Sequence, residues 1–423
     1  MMNLQDTFRS DFETNESCNT EWLKEQREKC FEKFIELGFP DNRIEEWKYT
    51  NIKKIANEEY RISKNQEKLN ISNFTKYEPR IVLVNGRISK EMSSFPEKIE
   101  ILPLIEAIEN GILKREIFED DRMEENPFWA LNTAFMNSGL YLRIPNGIQI
   151  TEPVLIINIA NSDETPTICH PRNIIEVEKG GKLSVMEHYI DNGKKDTLTN
   201  SVTQIYTEEN GLVEHIMKTN LSERGVHIGN VNAYQERDSK INTHNFCMGG
   251  KVIRNDLNFS LRGNGSYCEM NGLYLVDGDE HVDNHTTVEH LVPHCSSKEH
   301  YKGIVGGKGS AVFNGRIHVH EKAQKTDAIQ NNENLLMTDD AVIHTKPELE
   351  IYADDVKCTH GATIGQIDED ALFYLRCRGI EKKEAREIMI KAYVGEIIER
   401  VENEKIQNML ETEIMASLPI EVV

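Results

Sequence analysis

The sequence has no apolar run long enough to cross a membrane, and its start carries no apolar core of the kind that directs export. The longest apolar run, Val154 to Ile159, is far below the roughly 20 residues that span a bilayer. The first residues, MMNLQDTFRSDFETNES, are mostly polar, unlike a signal peptide. We therefore expect a cytoplasmic protein that has no membrane as its partner.

Basic residues are few compared with acidic ones. The chain has 49 lysines and arginines against 71 aspartates and glutamates, a net charge of -22 at pH 7. Nucleic acids and anionic membranes attract basic surfaces. The composition therefore argues against nucleic acid as the main partner.

The cysteines lack the close pairing of a disulfide framework or a zinc module. There are eight of them in 423 residues, with no CxxC pair: Cys18, Cys30, Cys169, Cys247, Cys268, Cys295, Cys358 and Cys377. In a chain without an export signal, this spacing indicates reduced thiols in the cytosol.

Motifs of nucleotide hydrolysis and nucleophilic catalysis are also missing. Gly306-Gly307-Lys308-Gly309-Ser310 breaks the phosphate-loop order, because glycine follows the lysine. No GxSxG, HExxH or kinase signature occurs. We therefore predict that the chain is not an enzyme, and that another subunit would have to supply any nucleotide energy.

The pattern along the chain divides it into three regions. Residues 1–138 are mainly helical, with a short hairpin at Asn85-Gly86. Residues 139–365 hold many short strands separated by glycine and asparagine turns, which predicts a sandwich, a barrel or a β-solenoid. The size of this region and its lack of long loops favour the solenoid. Residues 366–423 are helical again, starting at the N-cap Asp368.

The long helix predicted from Glu381 is apolar on two faces. Ala385, Ile388 and Ala392 line one face, and Ile390, Val394 and Ile397 belong to another. We expect one face to pack on the β region and the other to contact a partner protein.

Cys358 and His360 are the candidate metal ligands. In HTKPELEIYADDVKCTHGATIGQ, residues 344–366, a strand places Tyr352, Val356, Cys358 and His360 on one face. Thiolate and imidazole suit zinc, copper(I) or iron–sulfur chemistry. Two ligands do not complete a site, so the others must come from elsewhere in the chain or from a second protein.

A second group of candidates lies between residues 281 and 300. On a strand His281, Asp283 and His285 share a face, which suits a metal or acid–base site, but structural ladders and interfaces use the same residues. The structural interpretation is favoured, and it extends to the further candidates His290, His294 and Cys295. His318 and His320 are interpreted as part of a solvated strand face.

Three segments are characteristic of a known family. Residues 315–380, which include ADDVKCTHGAT, and residues 283–303 resemble the SufB/SufD family, the β-helix subunits of the SUF iron–sulfur cluster assembly machinery. FPDNRIEEWKYTNIKKI, residues 39–55, is similar to the SufD branch of that family in particular.

The resemblance implies a fold, partners and a site. The fold is mainly β: a right-handed parallel β-helix flanked by N-terminal and C-terminal helical regions. The implied complex pairs the chain with SufB through the β-helices and docks the SufC ATPase on the C-terminal helices. The expected partner-binding residues there are Tyr374, Ala385, Ile388, Ala392, Val394 and Ile397.

The family's cluster-assembly ligand on the SufD side matches His360, with Cys358 beside it. A cysteine of SufB would complete the site, so the resemblance implies a transient iron–sulfur cluster shared with SufB and none held stably by this chain alone. Two alternatives are a structural homodimer and a β-helix enzyme that acts on polysaccharide through residues 281–300.

Overall fold

The computed structural model describes residues 4–14, 20–62, 69, 71–75, 77–119 and 125–418. Eight α-helices lie in these ranges, on either side of a strand-rich middle. The N-terminal ones are α1 (Leu4–Thr14), α2 (Glu21–Leu37), α3 (Lys53–Ala56), α4 (Leu104–Glu109) and α5 (Pro127–Ala134). The C-terminal ones are α6 (Glu369–Cys377), α7 (Lys382–Ile398) and α8 (Glu404–Ser417). None of these described helices is long and apolar enough to span a membrane.

Five short strands among the described residues do not belong to the regular coils. They are β1 (Arg61–Ile62), β2 (Arg80–Val84), β3 (Arg87–Ile88), β4 (Glu100–Pro103) and β7 (Thr167–Cys169). β2 and β3 form the hairpin predicted at Asn85-Gly86, and both turn residues have positive φ. This backbone conformation is the one that favours Asn-Gly.

The remaining strands build a parallel β-solenoid of about eight coils, which confirms the predicted fold class. One strand of each coil belongs to an 11-stranded sheet: β5 (Leu140–Ile144), β8 (Arg172–Val177), β10 (Thr197–Thr207), β12 (Gly225–Gln235), β14 (Val252–Leu261), β16 (His281–His290), β18 (Ser310–Val319) and β20 (Val342–Ile351). The other strand belongs to a 10-stranded sheet: β6 (Val154–Ser162), β9 (Lys182–Gly193), β11 (Leu212–Leu221), β13 (Lys240–Gly249), β15 (Tyr267–Val276), β17 (Ser296–Val305), β19 (Asp327–Leu336) and β21 (Lys357–Gly365).

Side chains from both sheets fill the space between them. Because strand side chains alternate between faces, every second residue points inward. The inward residues of neighbouring coils form one continuous apolar core, represented by Ile156, Val185, Phe259, Tyr274 and Phe313. This core holds the coils in register.

Helices cover the outer face of each sheet. Phe8, Phe34, Trp47 and Phe128 from the N-terminal region pack on the 11-stranded sheet. The apolar face of α7 and α8 packs along the 10-stranded sheet, where Val394 and Leu410 are fully buried. This burial agrees with the expectation that one face of the long helix lies on the β region.

The last coil is open to solvent. β20 pairs with β18 and β21 pairs with β19, each on one side only, and no described strand continues either sheet beyond them. Apolar side chains are exposed on this coil, namely Val342, Ile351, Tyr352 and Ile364. An unpaired edge of this kind is a ready surface for another strand or another protein.

Candidate functional site

Cys358 and His360 lie on β21, the last strand of the 10-stranded sheet. Their backbone partners on β19 are Ala328 and Gln330, and both of these residues are buried. Cys358 and His360 therefore share the face that continues the interior of the solenoid. Since no described coil covers them, Cys358 is half-buried and His360 is exposed.

Tyr352 and Val356 do not belong to this strand, in contrast to the sequence prediction. β20 ends at Ile351 and β21 begins at Lys357, so residues 352–356 form the turn between two strands of different sheets. Val356 still packs in the same apolar cluster as Cys358. Tyr352 instead lies beside His318, with 5.4 Å between the ring centroids.

The thiol of Cys358 lies against an apolar wall. Ile317, Val319 and Ala328 are fully buried members of this cluster. Burial raises the pKa of the Cys358 thiol, and the negative charge of Asp327 raises it further. The free side chain is therefore a neutral thiol, and a cation is needed to convert it to the thiolate ligand.

A polar column lies directly beneath His360. Its backbone partner Gln330 pairs in turn with Glu299 on β17. The Gln330 side-chain amide donates to Glu299 Oε2 at 2.5 Å. Burial raises the pKa of Glu299 to about 7, against the opposing hydrogen bonds from Thr286 and Gln330. A carboxyl group that titrates near neutral pH thus lies two coils below the candidate ligand.

This column predicts a pH-dependent stability. The folded-state pKa of Glu299 is above its ordinary value, so the protonated carboxyl stabilises the folded state. This stabilisation is complete below about pH 4 and is lost as the pH rises through 7. Glutamine does not ionise, so the free energy of unfolding of Glu299→Gln should not fall over this range. Relative to the wild type it should rise by about 2 kcal/mol between pH 5 and 8. Urea denaturation across that range measures the difference. The exposed control Glu223→Gln should follow the wild type, and parallel pH curves for Glu299→Gln and wild type would refute the prediction.

His281, Asp283 and His285 share the outer face of β16, as predicted, but they are held in a structural network. Thr50 lies between the first two, 2.8 Å from His281 Nε2 and 2.5 Å from Asp283 Oδ2. Asp283 also accepts from Arg254 Nη1 at 2.5 Å and lies 2.9 Å from His285 Nε2. The guanidinium supplies the positive charge that a metal ion would bring.

Arg254 joins this network to the N-terminal region. It is fully buried, its guanidinium lies 3.9 Å above the Trp47 ring, and it donates to the Glu46 carbonyl at 2.7 Å. The network therefore fastens the segment around Trp47 to the solenoid.

The other candidates of this stretch lie apart from that network. His290 is buried inside the solenoid, 2.9 Å from Ser297 Oγ, and burial lowers its pKa to about 4. Cys295 is buried beside Ser266, and burial raises the pKa of its thiol. His294 is exposed in a turn with φ 62. The structure does not bring these three side chains together with His281, Asp283 and His285.

The C-terminal helices offer a smaller free surface than the sequence predicts. Ala385, Val394 and Ile397 are fully buried within this chain, the latter two against the 10-stranded sheet. Tyr374 is 57% exposed, and Ile388 and Ala392 are also exposed. Phe373, which the sequence reasoning did not single out, is 66% exposed beside Tyr374. The surface available to a partner is therefore formed by α6 and the outer side of α7.

Gln330 and Glu299 were not found from the sequence. Each lies in a strand whose side chains alternate between the inner and outer face, and this pattern does not distinguish the two residues. Only the register of β17, β19 and β21 places them under His360. The sole sequence signal is a spacing of 30–31 residues between glutamate, glutamine and histidine, and it has no meaning until the coil length is known.

Comparison with known proteins identifies the family. The family model described as "SUF system FeS cluster assembly, SufBD core domain" matches residues 158–393, and the model "SufBD protein N-terminal region" matches residues 1–156. The iron–sulfur cluster assembly protein SufD of Escherichia coli is 30% identical over 401 residues, which cover 93% of each chain.

Two further relatives, from other bacteria, support the same family assignment. SufD of Bacillus subtilis is 26% identical and covers 92% of both chains. A SufBD family protein of Synechocystis is 29% identical over 88% of this chain and 86% of its own length. The chain therefore belongs to the SufBD family of iron–sulfur cluster assembly proteins.

Proposed function

We propose that this chain is a non-catalytic scaffold subunit that pairs with SufB through its open coil, docks SufC through its C-terminal helices and presents ligands to a nascent iron–sulfur cluster. The observation that carries the proposal is the position of Cys358 and His360. They are inward-facing side chains at the one described end of the solenoid where no further coil covers them.

The ligand chemistry requires a partner. Iron–sulfur clusters are usually held by about four ligands, mostly cysteine thiolates with histidine as a substitute. On β21, Cys358 and His360 supply two donors about 7 Å apart at their backbones. A protein stacked on the open coil would bring its own ligands to the same place. The cluster is assembled at the interface and passed on, and this chain supplies two of its about four ligands.

The open coil has the properties of a protein interface. Two unpaired strand edges lie next to each other, and Val342, Ile351 and Ile364 add exposed apolar area. Strand edges favour partners that supply a matching edge. SufB is proposed as that partner because the family model covers both proteins in its name, SufBD.

Substitution on the edge tests this pairing. Ile364 is 47% exposed, so Ile364→Lys costs the isolated chain little, but it buries a charge if a partner covers it. We expect the affinity for SufB to fall at least tenfold, or by about 1.4 kcal/mol, and less SufB to be recovered with the tagged chain after co-expression.

The matched control is Phe95→Lys, a residue 45% exposed in the N-terminal region, which should retain SufB. Full recovery of SufB with Ile364→Lys would place the interface elsewhere. If the chain alone is a dimer that Ile364→Lys separates while SufB never binds, the homodimer replaces the heterocomplex.

The surface around Tyr374 is proposed as the SufC dock. Exposed aromatic side chains are frequent anchors of protein interfaces. We expect the double variant Tyr374→Ala/Ile388→Ala to weaken SufC binding by at least ~30-fold, or about 2 kcal/mol, with an unchanged melting temperature. Calorimetric titration with purified SufC measures the affinity.

A control of the same composition is available in the N-terminal region. Tyr49 and Ile44 are 45% and 43% exposed, so Tyr49→Ala/Ile44→Ala removes a tyrosine and an isoleucine of comparable exposure. If the two double variants weaken SufC binding equally, the C-terminal helices are not the specific binding surface for SufC.

A further inference from the structure

A second group of possible metal ligands lies on the opposite sheet, outside the site around His360. Glu289 on β16, His318 on β18 and His320 just after β18 each place one ligand atom within 4.8 Å of the others. All three residues are half-buried. Among the described residues, no other group of three or more histidine, cysteine or carboxylate side chains is so arranged.

The register of the coils brings these residues together. Glu289 pairs with His318, and His318 pairs with Glu350 on β20. In parallel strands, paired residues project side chains in the same direction roughly 5 Å apart. The outer face of the sheet therefore carries a row of carboxylate, imidazole and carboxylate, with Glu350 Oε2 at 3.8 Å from His318 Nδ1.

His320 is folded back onto this row. Its backbone N–H donates to the His290 carbonyl at 3.0 Å. Its ring lies parallel to that of His318, with 4.1 Å between centroids and 13° between planes. The two imidazoles thus lie side by side, and each has a ligand atom within 4.8 Å of the other.

One atom of this group lacks a hydrogen-bond partner. His320 Nε2 is buried from solvent and bonds to nothing in the part of the chain that the structure describes. A buried polar atom left unbonded costs free energy, and a coordinated cation would satisfy it. This observation is independent of the clustering itself.

The donor set selects the class of ion. Two imidazoles with a carboxylate suit zinc and iron(II), whereas magnesium and calcium prefer oxygen ligands alone. In a tetrahedral zinc site with bonds of about 2.0–2.2 Å, the ligand atoms lie roughly 3.5 Å from one another. The three ligand atoms here lie within 4.8 Å of one another, so a contraction of up to about 1.4 Å closes the arrangement around an ion, which side-chain rotation can supply.

We propose that Glu289, His318 and His320 bind one divalent first-row transition-metal ion, with Glu350 in reach as a fourth ligand. The ion has ligands on β16, on β18 and in the turn after β18, so it cross-links neighbouring coils near the end of the solenoid. Its place is also close to the open coil. Ile317 and Val319, the neighbours of His318, point inward and pack in the cluster that contains Cys358.

Zinc titration of the full-length chain tests the site. The background is Cys358→Ser/His360→Ala, so that the site on β21 cannot compete for the metal. We expect one equivalent of Zn²⁺ to bind in calorimetry and to raise the melting temperature. His318→Ala/His320→Ala should weaken this binding by at least ~100-fold and the isosteric Glu289→Gln by at least ~10-fold, since even the loss of a group hydrogen-bonded to a metal ligand typically costs about 10–100-fold.

The matched control is His344→Ala, which removes a half-buried imidazole of the same sheet, stacked on Tyr49. It should leave the affinity unchanged. Unchanged zinc affinity in the double histidine variant, or no binding by the folded parent chain, overturns the proposal.

Cobalt substitution identifies the donors. With Co²⁺ in place of zinc, nitrogen and oxygen ligands give ligand-field bands without thiolate charge transfer, and we expect that spectrum. A thiolate signature would assign the metal to a cysteine and overturn the proposal. These outcomes are read on the isolated chain, so they are independent of SufB, SufC and cluster assembly.

Discussion

We expect His360→Ala to abolish the visible chromophore of the iron–sulfur cluster in the complex purified after co-expression with SufB and SufC, while the complex still assembles. His360 is exposed on β21, so its loss leaves the fold of this chain intact. It also removes one of the two donors that the chain presents on the open coil. Cluster content, read as visible absorbance and as iron per complex, should fall at least tenfold.

The strand provides its own control. Thr359 lies between Cys358 and His360 and is also exposed, but it belongs to the opposite face of β21. Thr359→Ala should keep the chromophore. An unchanged chromophore in His360→Ala would place the cluster ligands in SufB alone and leave this chain an architectural role.

The second large effect concerns stability. We expect Asp283→Ala to lower the free energy of unfolding by about 3 kcal/mol or more, because it leaves the buried Arg254 guanidinium short of a partner. Asp256 still pairs with Arg254 at 2.9 Å, which keeps the loss at the lower end of the range for broken buried ion pairs. Denaturant unfolding followed by tryptophan fluorescence measures it, since Trp47 lies under Arg254.

The stabilisation of the folded state by Asp283 depends on pH in a defined direction. Burial by itself raises the pKa of Asp283, but Arg254, His285 and Thr50 together hold that pKa well below its ordinary value. A folded-state pKa below the unfolded one stabilises the protein at neutral pH, and the gain is lost as the pH falls below about 4. The difference between wild type and Asp283→Ala should shrink in acid.

Asp279→Ala is the matched control for this substitution. Asp279 is exposed in the turn before β16, so its change should stay within about 0.5 kcal/mol. A similarly small effect of Asp283→Ala would mean that the network around Arg254 is not needed to hold the N-terminal region.

The sequence predicted the elements of the fold better than their contacts. Strand alternation and glycine turns predicted a sandwich, a barrel or a β-solenoid, and the size of the region and the family resemblance favoured the solenoid. Asp368 caps α6 as expected, its Oδ1 accepting from the Asp370 and Ala371 backbone. The helix α1 was not singled out within the N-terminal region, although Phe8 and Phe12 stand four residues apart and so share one face of it. Such patterns describe one segment at a time.

The contacts between coils could not be read in this way. His318 and His320 follow the alternation of a solvated strand face, and only the register with β16 brings Glu289 to them. Arg254 and Glu46 are 208 residues apart in the chain. The site on β21 was recovered in part, because Cys358 and His360 are neighbours on one strand, whereas the column beneath them comes from two other coils.

The outer face of the 10-stranded sheet and the helices α7 and α8 that cover it form an apolar strip, which has a consequence for synthesis in the cell. Each coil contacts mainly the next one, so coils can form in order as the chain leaves the ribosome. The strip joins Val82 near the start to Leu410 near the end. The part of it that α8 covers stays open to solvent until that last helix has been made, and apolar surface exposed during that interval favours aggregation of the nascent chain.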